Sequence, residues 1–309
     1  MLTRDIRFKN YKVKSNISKI KKEFKNLLSK ENEILSSLTS KYKYSYSNKI
    51  IKKYKKFSIL QIIGIGGSIL GTEAIFSFLK DKIKKNFLFI DNIKNETLKN
   101  KENKILNLVV SKSGNTLETI SNSNIFVKKN DKNIFITENN KSYLRSLATK
   151  LKSEVIDHNN FIGGRYSVLS EVGMLPAQLM GFKPENFRSL NRLVNKKFFI
   201  NSLIQNVSNI FDMINQKKKN SIILNYDVHS NDLFYWYQQL VAESLGKKGN
   251  GVLPIVSMMP KDNHSMMQYY LDGVKNNFFT LFFVKEKNSI KIKENQILET
   301  HSYLKNKSL

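Results

Sequence analysis

Hydroxyl side chains crowd the stretch Ser111-Lys112-Ser113-Gly114-Asn115-Thr116-Leu117-Glu118-Thr119, directly after an apolar run and at the opening of a helical pattern. Hydroxyls, free backbone N–H groups and the positive end of a helix converge there, a combination that holds a phosphate dianion without an arginine clamp. A helix cap with a Ser/Thr turn explains one or two of these hydroxyls, not so many in so short a stretch.

A second run, Gly64-Ile65-Gly66-Gly67-Ser68-Ile69-Leu70-Gly71, also lies between an apolar run and a helical pattern. Its glycines permit a tight turn and close approach of backbone N–H groups to a ligand. It reads as an ordinary strand-to-helix turn or as a dinucleotide fingerprint with Asp91 on a ribose hydroxyl. Ile69, however, stands where the third glycine of G-x-G-x-x-G belongs. Arg165 follows Gly163-Gly164, where a guanidinium can stabilise charge developing on a substrate oxygen; an ordinary surface arginine is the alternative. Gln239 and Glu243, four apart in Asp232 to Gly246, share one side of a helix whose aromatic face is Phe234, Trp236 and Tyr237. Glu243 sits near the C-terminal end of that helix, where the dipole disfavours a carboxylate, which argues for a role other than helix stability. His264, after Pro260 and at the start of an expected helix, can move protons near neutral pH or serve as a cap. His158, His229 and His301 have no comparable setting in the sequence, and no two histidines are spaced as metal ligands on one element.

Positioning these groups requires strands that end at them. Ile59 to Ile65, Phe87 to Ile90, Ile105 to Val110 and Ile134 to Thr137 read as strands separated by helical stretches, the alternation of a parallel sheet covered by helices. The rhythm returns with Ile222 to Asn225, Val252 to Val256 and Phe279 to Val284 around helical stretches at 231–245 and 264–274. Gly163-Gly164, Pro176, Gly181 and Pro184 break the chain between the two sets, and a helical run from Phe187 to about Lys217 follows. Residues 15–39 carry apolar positions at helical spacing. The expected organisation is an N-terminal helical segment (1–50), a first α/β lobe (51–185) and a second (186–309).

With 309 residues the chain is long enough for two compact lobes, and 40% hydrophobic with 25% charged residues is the balance of a folded globular protein. The absence of cysteine excludes disulfides, thiol nucleophiles and thiolate metal sites. The basic start, Met1 to Lys14, lacks the apolar stretch of a signal peptide, and no window reaches membrane-spanning length, so a cytoplasmic location is expected. A net charge of +27 attracts polyanions, but the lysines come in short scattered groups such as Lys21-Lys22 and Lys217 to Lys219 without aromatic interleaving. A solvated lysine-rich surface is the expectation, and no nucleic-acid partner.

In order along the chain, G-I-G-G-S-x-L-G, S-K-S-G-N-T-x-E-T, G-G-R-Y-S, E-S-x-G-K and H-S-x-x-Q resemble the successive signatures of glucose-6-phosphate (phosphoglucose) isomerases, and Gly173 to Gly181 is similar to the family's segment after the arginine. The resemblance implies two sugar-isomerase (SIS) lobes, each a mainly parallel sheet between helices, and a homodimer with the active site at its interface. It implies that Gly67 and Ser68 touch the sugar, that Ser111, Lys112, Ser113 and Thr116 hold the phosphate, and that Gln239 contacts substrate. Arg165 is implied beside the reacting carbons, Glu243 as the base that moves a proton between C2 and C1 through a cis-enediol, and His264, from the neighbouring subunit, as the group that helps open the sugar ring. Neither metal nor redox cofactor is needed for that chemistry. The family ends in a helix bearing a catalytic lysine in a segment like V-E-x-x-K. Nothing similar follows Val284, and Lys305 and Lys307 do not match. A fragment, or a form lacking that piece and part of its second lobe, is expected; the alternative activity is a catalytically impaired sugar-phosphate-binding protein of the same fold.

Overall fold

The computed structural model describes residues 17–30, 32–93, 105–285, 290–293 and 297–307. The basic start and Ser308, the end of the polar tail, lie outside them. Among the described residues, β1 (Ile59–Ile63), β2 (Asn86–Ile90), β3 (Ile105–Val110), β4 (Lys132–Thr137) and β5 (Glu154–Asp157) form an all-parallel sheet in the order β2-β1-β3-β4-β5. Central strands buried on both faces read as near-continuous apolar runs, and Ile59 to Ile63 is buried at every position with Gln61 the one polar residue in it. Alternate residues serve opposite faces. Leu60, Ile62, Leu106, Leu108, Ile134 and Ile136 pack with α7 (Glu171–Met180), α3 (Asn48–Tyr54) and α4 (Leu70–Phe78). On the other face Ile63, Val109 and Phe135 pack with α5 (Leu117–Phe126) and α6 (Tyr143–Lys150).

A polar ladder interrupts that second face. Gln61, Asn107 and Asn133 stand opposite one another in register: Gln61 Nε2 donates to Asn107 Oδ1 at 3.1 Å, and Asn107 Nδ2 donates to Asn133 Oδ1 at 2.8 Å and to Asp131 Oδ2 at 3.2 Å. A one-residue slip of any of these strands would bury the amides against apolar side chains, so the ladder specifies register. Removing the middle member strands both neighbours. Asn107→Ala is expected to lower unfolding free energy by about 2–3 kcal/mol, read from the urea midpoint at unchanged m. A loss below about 0.5 kcal/mol would show that the outer amides find other partners.

A second parallel sheet, β7-β6-β8, is built from β6 (Asn220–Asn225), β7 (Leu253–Met258) and β8 (Asn277–Phe282). Its order repeats that of β2-β1-β3. Helix α10 (Asn231–Leu245) follows the central strand β6 as α4 follows β1, and the two helices pack on each other, with Ser77 Oγ of α4 donating to Asp232 of α10.

Several expectations change in detail. The edge strand β5 is not among the strands expected from the sequence. The run from Phe187 is three pieces: the end of α8 (Pro184–Arg188), a 3-10 segment Ser189–Asn195 and α9 (Lys197–Asn215). The N-terminal pattern is α1 (Ile17–Ser29) and α2 (Glu33–Ser37), the latter started by Asn32 Oδ1 accepting from the N–H groups of Ile34 and Leu35. The stretch 264–274 is not one helix: a 3-10 turn, Lys261–His264, precedes the short α11 (Met267–Asp272). Among the described residues no helix is long and apolar enough to cross a membrane.

Candidate active site

In the first sheet, β2 lies on one side of β1 and β3 on the other, so the connections run in opposite directions from β1 and leave a crevice at the carboxyl ends of β1 and β3. Both glycine-bearing loops emerge there. A Cβ placed on Gly64 would stand 3.2 Å from the Val110 carbonyl oxygen, so the turn after β1 lies directly against the end of β3. In the loop after β3, the Ser111 and Thr116 hydroxyls bond each other at 2.8 Å, and Gly114 turns the chain at φ +66°, where a Cβ would also strike the Ser142 side chain. Thr116 caps α5 by position only: its side chain does not bond the first N–H groups, which leaves the positive helix end open to an anion. Ser113 is exposed, its hydroxyl accepting from the Asn115 N–H at 3.2 Å. Lys112 Nζ is directed to the Asn160 carbonyl at 2.6 Å, with Glu138 at 3.4 Å.

The turn after β1 is pressed against the arginine segment. A Cβ on Gly67 would lie 2.2 Å from the Gly164 carbonyl carbon and 2.6 Å from the Arg165 nitrogen, so only glycine lets the two backbones meet. Ser167 Oγ seals the contact by donating towards the Gly67 and Gly164 carbonyls, at 3.0 and 2.7 Å.

Helix α10 completes the arrangement. Asp232, Trp236, Gln239 and Glu243 recur at i, i+4, i+7 and i+11, one stripe of the helix, and all four face the first lobe. Trp236 Nε1 donates to the Arg165 carbonyl at 3.2 Å, and Gln239 Nε2 would be 3.0 Å from a Cβ on Gly66. Gln239 Oε1 is buried without a hydrogen-bond partner among the described residues. Arg165 Nη1 donates to Glu243 Oε1 at 2.8 Å and Nε to Ser244 Oγ at 2.8 Å, while the guanidinium lies 4.5 Å from the centre of the Tyr166 ring. The hydrogen bond with Ser244, helped by the adjacent Arg165, holds the Tyr166 hydroxyl below its usual range against the opposing effect of burial. The expected aromatic face of α10 is corrected here: Phe234 packs edge-on to Phe282 of β8 and Gln238 Nε2 reaches the Pro254 carbonyl, so Phe234 and Trp236 serve opposite lobes.

Thus Gly66, Gly67, Arg165, Gln239 and Glu243 converge, with Ser68 next along the same turn, its Cβ 3.2 Å from where a Cβ on Gly64 would stand, and Ser111 to Thr116 at the adjoining strand end. His264 does not join them by any hydrogen bond or ion pair among the described residues. It is exposed, on the turn after β7, which Asp262 braces by accepting from Ser257 Oγ, the Met258 N–H and Ser265 Oγ. Burial alone would raise the Asp262 carboxyl, but these bonds hold it below the ordinary range. Sequence reasoning missed Ser244 and Trp236, which anchor Arg165, and missed that Lys112 reaches Asn160. Ser244 had a signal in its adjacency to Glu243, and Trp236 in its spacing from Gln239 and Glu243 on one stripe. Asp91 lies just past β2 and is exposed.

Two parallel sheets with a hydroxyl-rich loop and a glycine turn at the first switch point define an α/β protein of the sugar-isomerase type. Its fold superposes on the hypothetical protein TT0462 from Thermus thermophilus (TM-score 0.75, 22% identity, covering 95% of this chain and 76% of that one). It also superposes on a glucose-6-phosphate isomerase from Chlamydia trachomatis (TM-score 0.59, 21% identity, 86% and 54% covered). The Phosphoglucose isomerase family model matches residues 9–256, and this chain belongs to that family. The glucose-6-phosphate isomerase of Methanocaldococcus jannaschii is 31% identical over 256 residues, 76% of this chain and 63% of the relative. The chain therefore spans somewhat less than two thirds of the length of that curated relative.

Proposed function

We propose that this protein interconverts glucose 6-phosphate and fructose 6-phosphate, an intramolecular aldose–ketose isomerisation of glycolysis and gluconeogenesis. The observation that carries the reading is the Glu243–Arg165 pair, 2.8 Å apart, held over the Gly66-Gly67-Ser68 turn beside a loop suited to a phosphate. The open α5 end with Ser111, Ser113 and Thr116 takes the phosphate, and Lys112 adds charge by turning from Glu138. That anchor orients the sugar chain remote from the bonds that change. Gln239, whose carbonyl oxygen lacks a partner among the described residues, takes a sugar hydroxyl with Gly67 and Ser68.

Glu243, half exposed (51%), removes the C2 proton of the open-chain aldose. The electron pair forms the C1–C2 double bond of a cis-enediol as the carbonyl oxygen at C1 gains negative charge, stabilised by Arg165. Return of the proton from Glu243 to C1, with proton transfer between O1 and O2, gives the ketose and restores the carboxylate. Ring opening falls to His264, whose exposure suits donation to a neighbouring copy in a homodimer. In this reading residues 51–185 and 186–309 are the two sugar-isomerase lobes after an N-terminal helical segment, 1–50, and the protein works in the cytoplasm.

The test is to isomerise fructose 6-phosphate in deuterium oxide. Glucose 6-phosphate carrying deuterium at C2, and no other new deuterium on carbon, is the expected product. Phosphosugar binding with no conversion would overturn the reading.

A further inference from the structure

The segment that carries Arg165 is closed at its base by buried polar groups that the proposed chemistry does not use. His158 follows β5 and Glu171 opens α7; they are 4% and 0% exposed, and His158 Nδ1 lies 3.6 Å from Glu171 Oε2. The other ring nitrogen, Nε2, is 3.1 Å from the Ile162 carbonyl, just before the Gly163-Gly164-Arg165 turn. The Tyr42 hydroxyl lies 2.9 Å from both Glu171 oxygens and accepts from Asn159 Nδ2 at 2.8 Å; the Ser45 N–H donates to Glu171 at 3.1 Å. Burial alone would raise the Glu171 carboxyl, but the His158 ring with the Ser45 and Tyr42 donors, among others, more than offsets it and holds the carboxyl below the ordinary range. The clasp thus joins both ends of the 158–171 segment and a third strand of chain from the N-terminal region. Nothing in the sequence marks His158 as it marks His264, and its neighbours Glu171 and the Ile162 carbonyl emerge only in the folded chain.

Burying an imidazole, a carboxylate and a phenol is costly unless their mutual bonds hold one geometry, and apolar residues close a loop base at less cost. Here the geometry held is that of the chain entering Arg165. We propose that His158 and Glu171 are positioning residues, with Tyr42 as their brace, that set where the Arg165 guanidinium stands over the glycine turn. The proposal rests on the reading of Arg165 as the group beside the reacting carbons, and it predicts an effect carried mainly by rate, because the Ser111 and Thr116 hydroxyls bond each other away from the clasp and only Lys112 of the phosphate loop reaches its segment, at the Asn160 carbonyl.

Trp236, the only tryptophan in the chain, donates to the Arg165 carbonyl and so reports on this segment without turnover. In His158→Ala and Glu171→Gln, tryptophan emission is expected to move to longer wavelength, with kcat about tenfold or more lower and KM for fructose 6-phosphate within about twofold. His158→Gln, which keeps a side-chain N–H for the Ile162 carbonyl, is expected to recover most of the rate. Asn107→Ala serves as a destabilised control that shifts the urea midpoint but neither emission nor kcat. Folded His158→Ala and Glu171→Gln proteins with unchanged emission and kcat would overturn the proposal, whatever their stability. Should either fail to fold, Tyr42→Phe, which removes one hydroxyl, is read the same way. If the unsubstituted protein does not isomerise, the proposed function fails while the emission measurements still judge the clasp.

Discussion

Glu243→Gln is expected to lower kcat for fructose 6-phosphate isomerisation by about a thousandfold, within the range that loss of a positioned general base produces. The substitution is nearly isosteric, and the amide oxygen can still accept from Arg165 Nη1, so the site keeps its shape while losing the group that carries the proton. KM is expected to change little, because in the proposed function the phosphate loop, not Glu243, anchors the substrate. Deuterium incorporation at C2 should disappear with the rate. Loss of an ion pair does not confound the result: with the carboxylate half exposed, the pair contributes little to stability. A Glu243→Gln protein retaining more than about a tenth of the rate would assign proton transfer to another residue.

Arg165→Lys has the second largest expected effect, a fall in kcat/KM of about a hundredfold or more, carried by kcat. Arginine is held here by three features at once: Nη1 on Glu243, Nε on Ser244 Oγ, and its plane against the Tyr166 ring. A lysine ammonium keeps the charge but has no planar fork to meet both side chains, so the cation is neither fixed in place nor aimed at the developing oxyanion. Trp236 continues to bond the backbone carbonyl, so emission should stay near that of the unsubstituted protein. That separates loss of the guanidinium from displacement of its segment. Activity within about threefold would mean that charge alone suffices.

The strands of both sheets are legible in the sequence because each is a short run made up mostly of β-branched, aromatic and leucine residues between helical stretches. Ile105 to Val110 matches to the residue, and β1, β2, β4, β6, β7 and β8 match to within two at each end. The edge strand β5, Glu154-Val155-Ile156-Asp157, escapes because its apolar core is two residues long. Helix α10 is legible with its span intact, but the side of each aromatic residue is not. Periodicity locates a stripe and says nothing of which neighbour each stripe will meet when both sides are covered.

Residue types and spacing alone picked out the phosphate-suited loop and the glycine turn, since each depends on local backbone freedom and helix-end charge within a few consecutive residues, while the family and the candidate base came from the resemblance of ordered motifs. Tertiary structure alone decided that Glu243 stands on Arg165, that Ser244 and Trp236 anchor that arginine, that Lys112 points to Asn160, and that Glu171 lies between His158 and Tyr42. Those contacts join residues far apart in the chain. Their energies arise from desolvation and geometry that exist only once the sheets have brought distant segments within a hydrogen bond of each other.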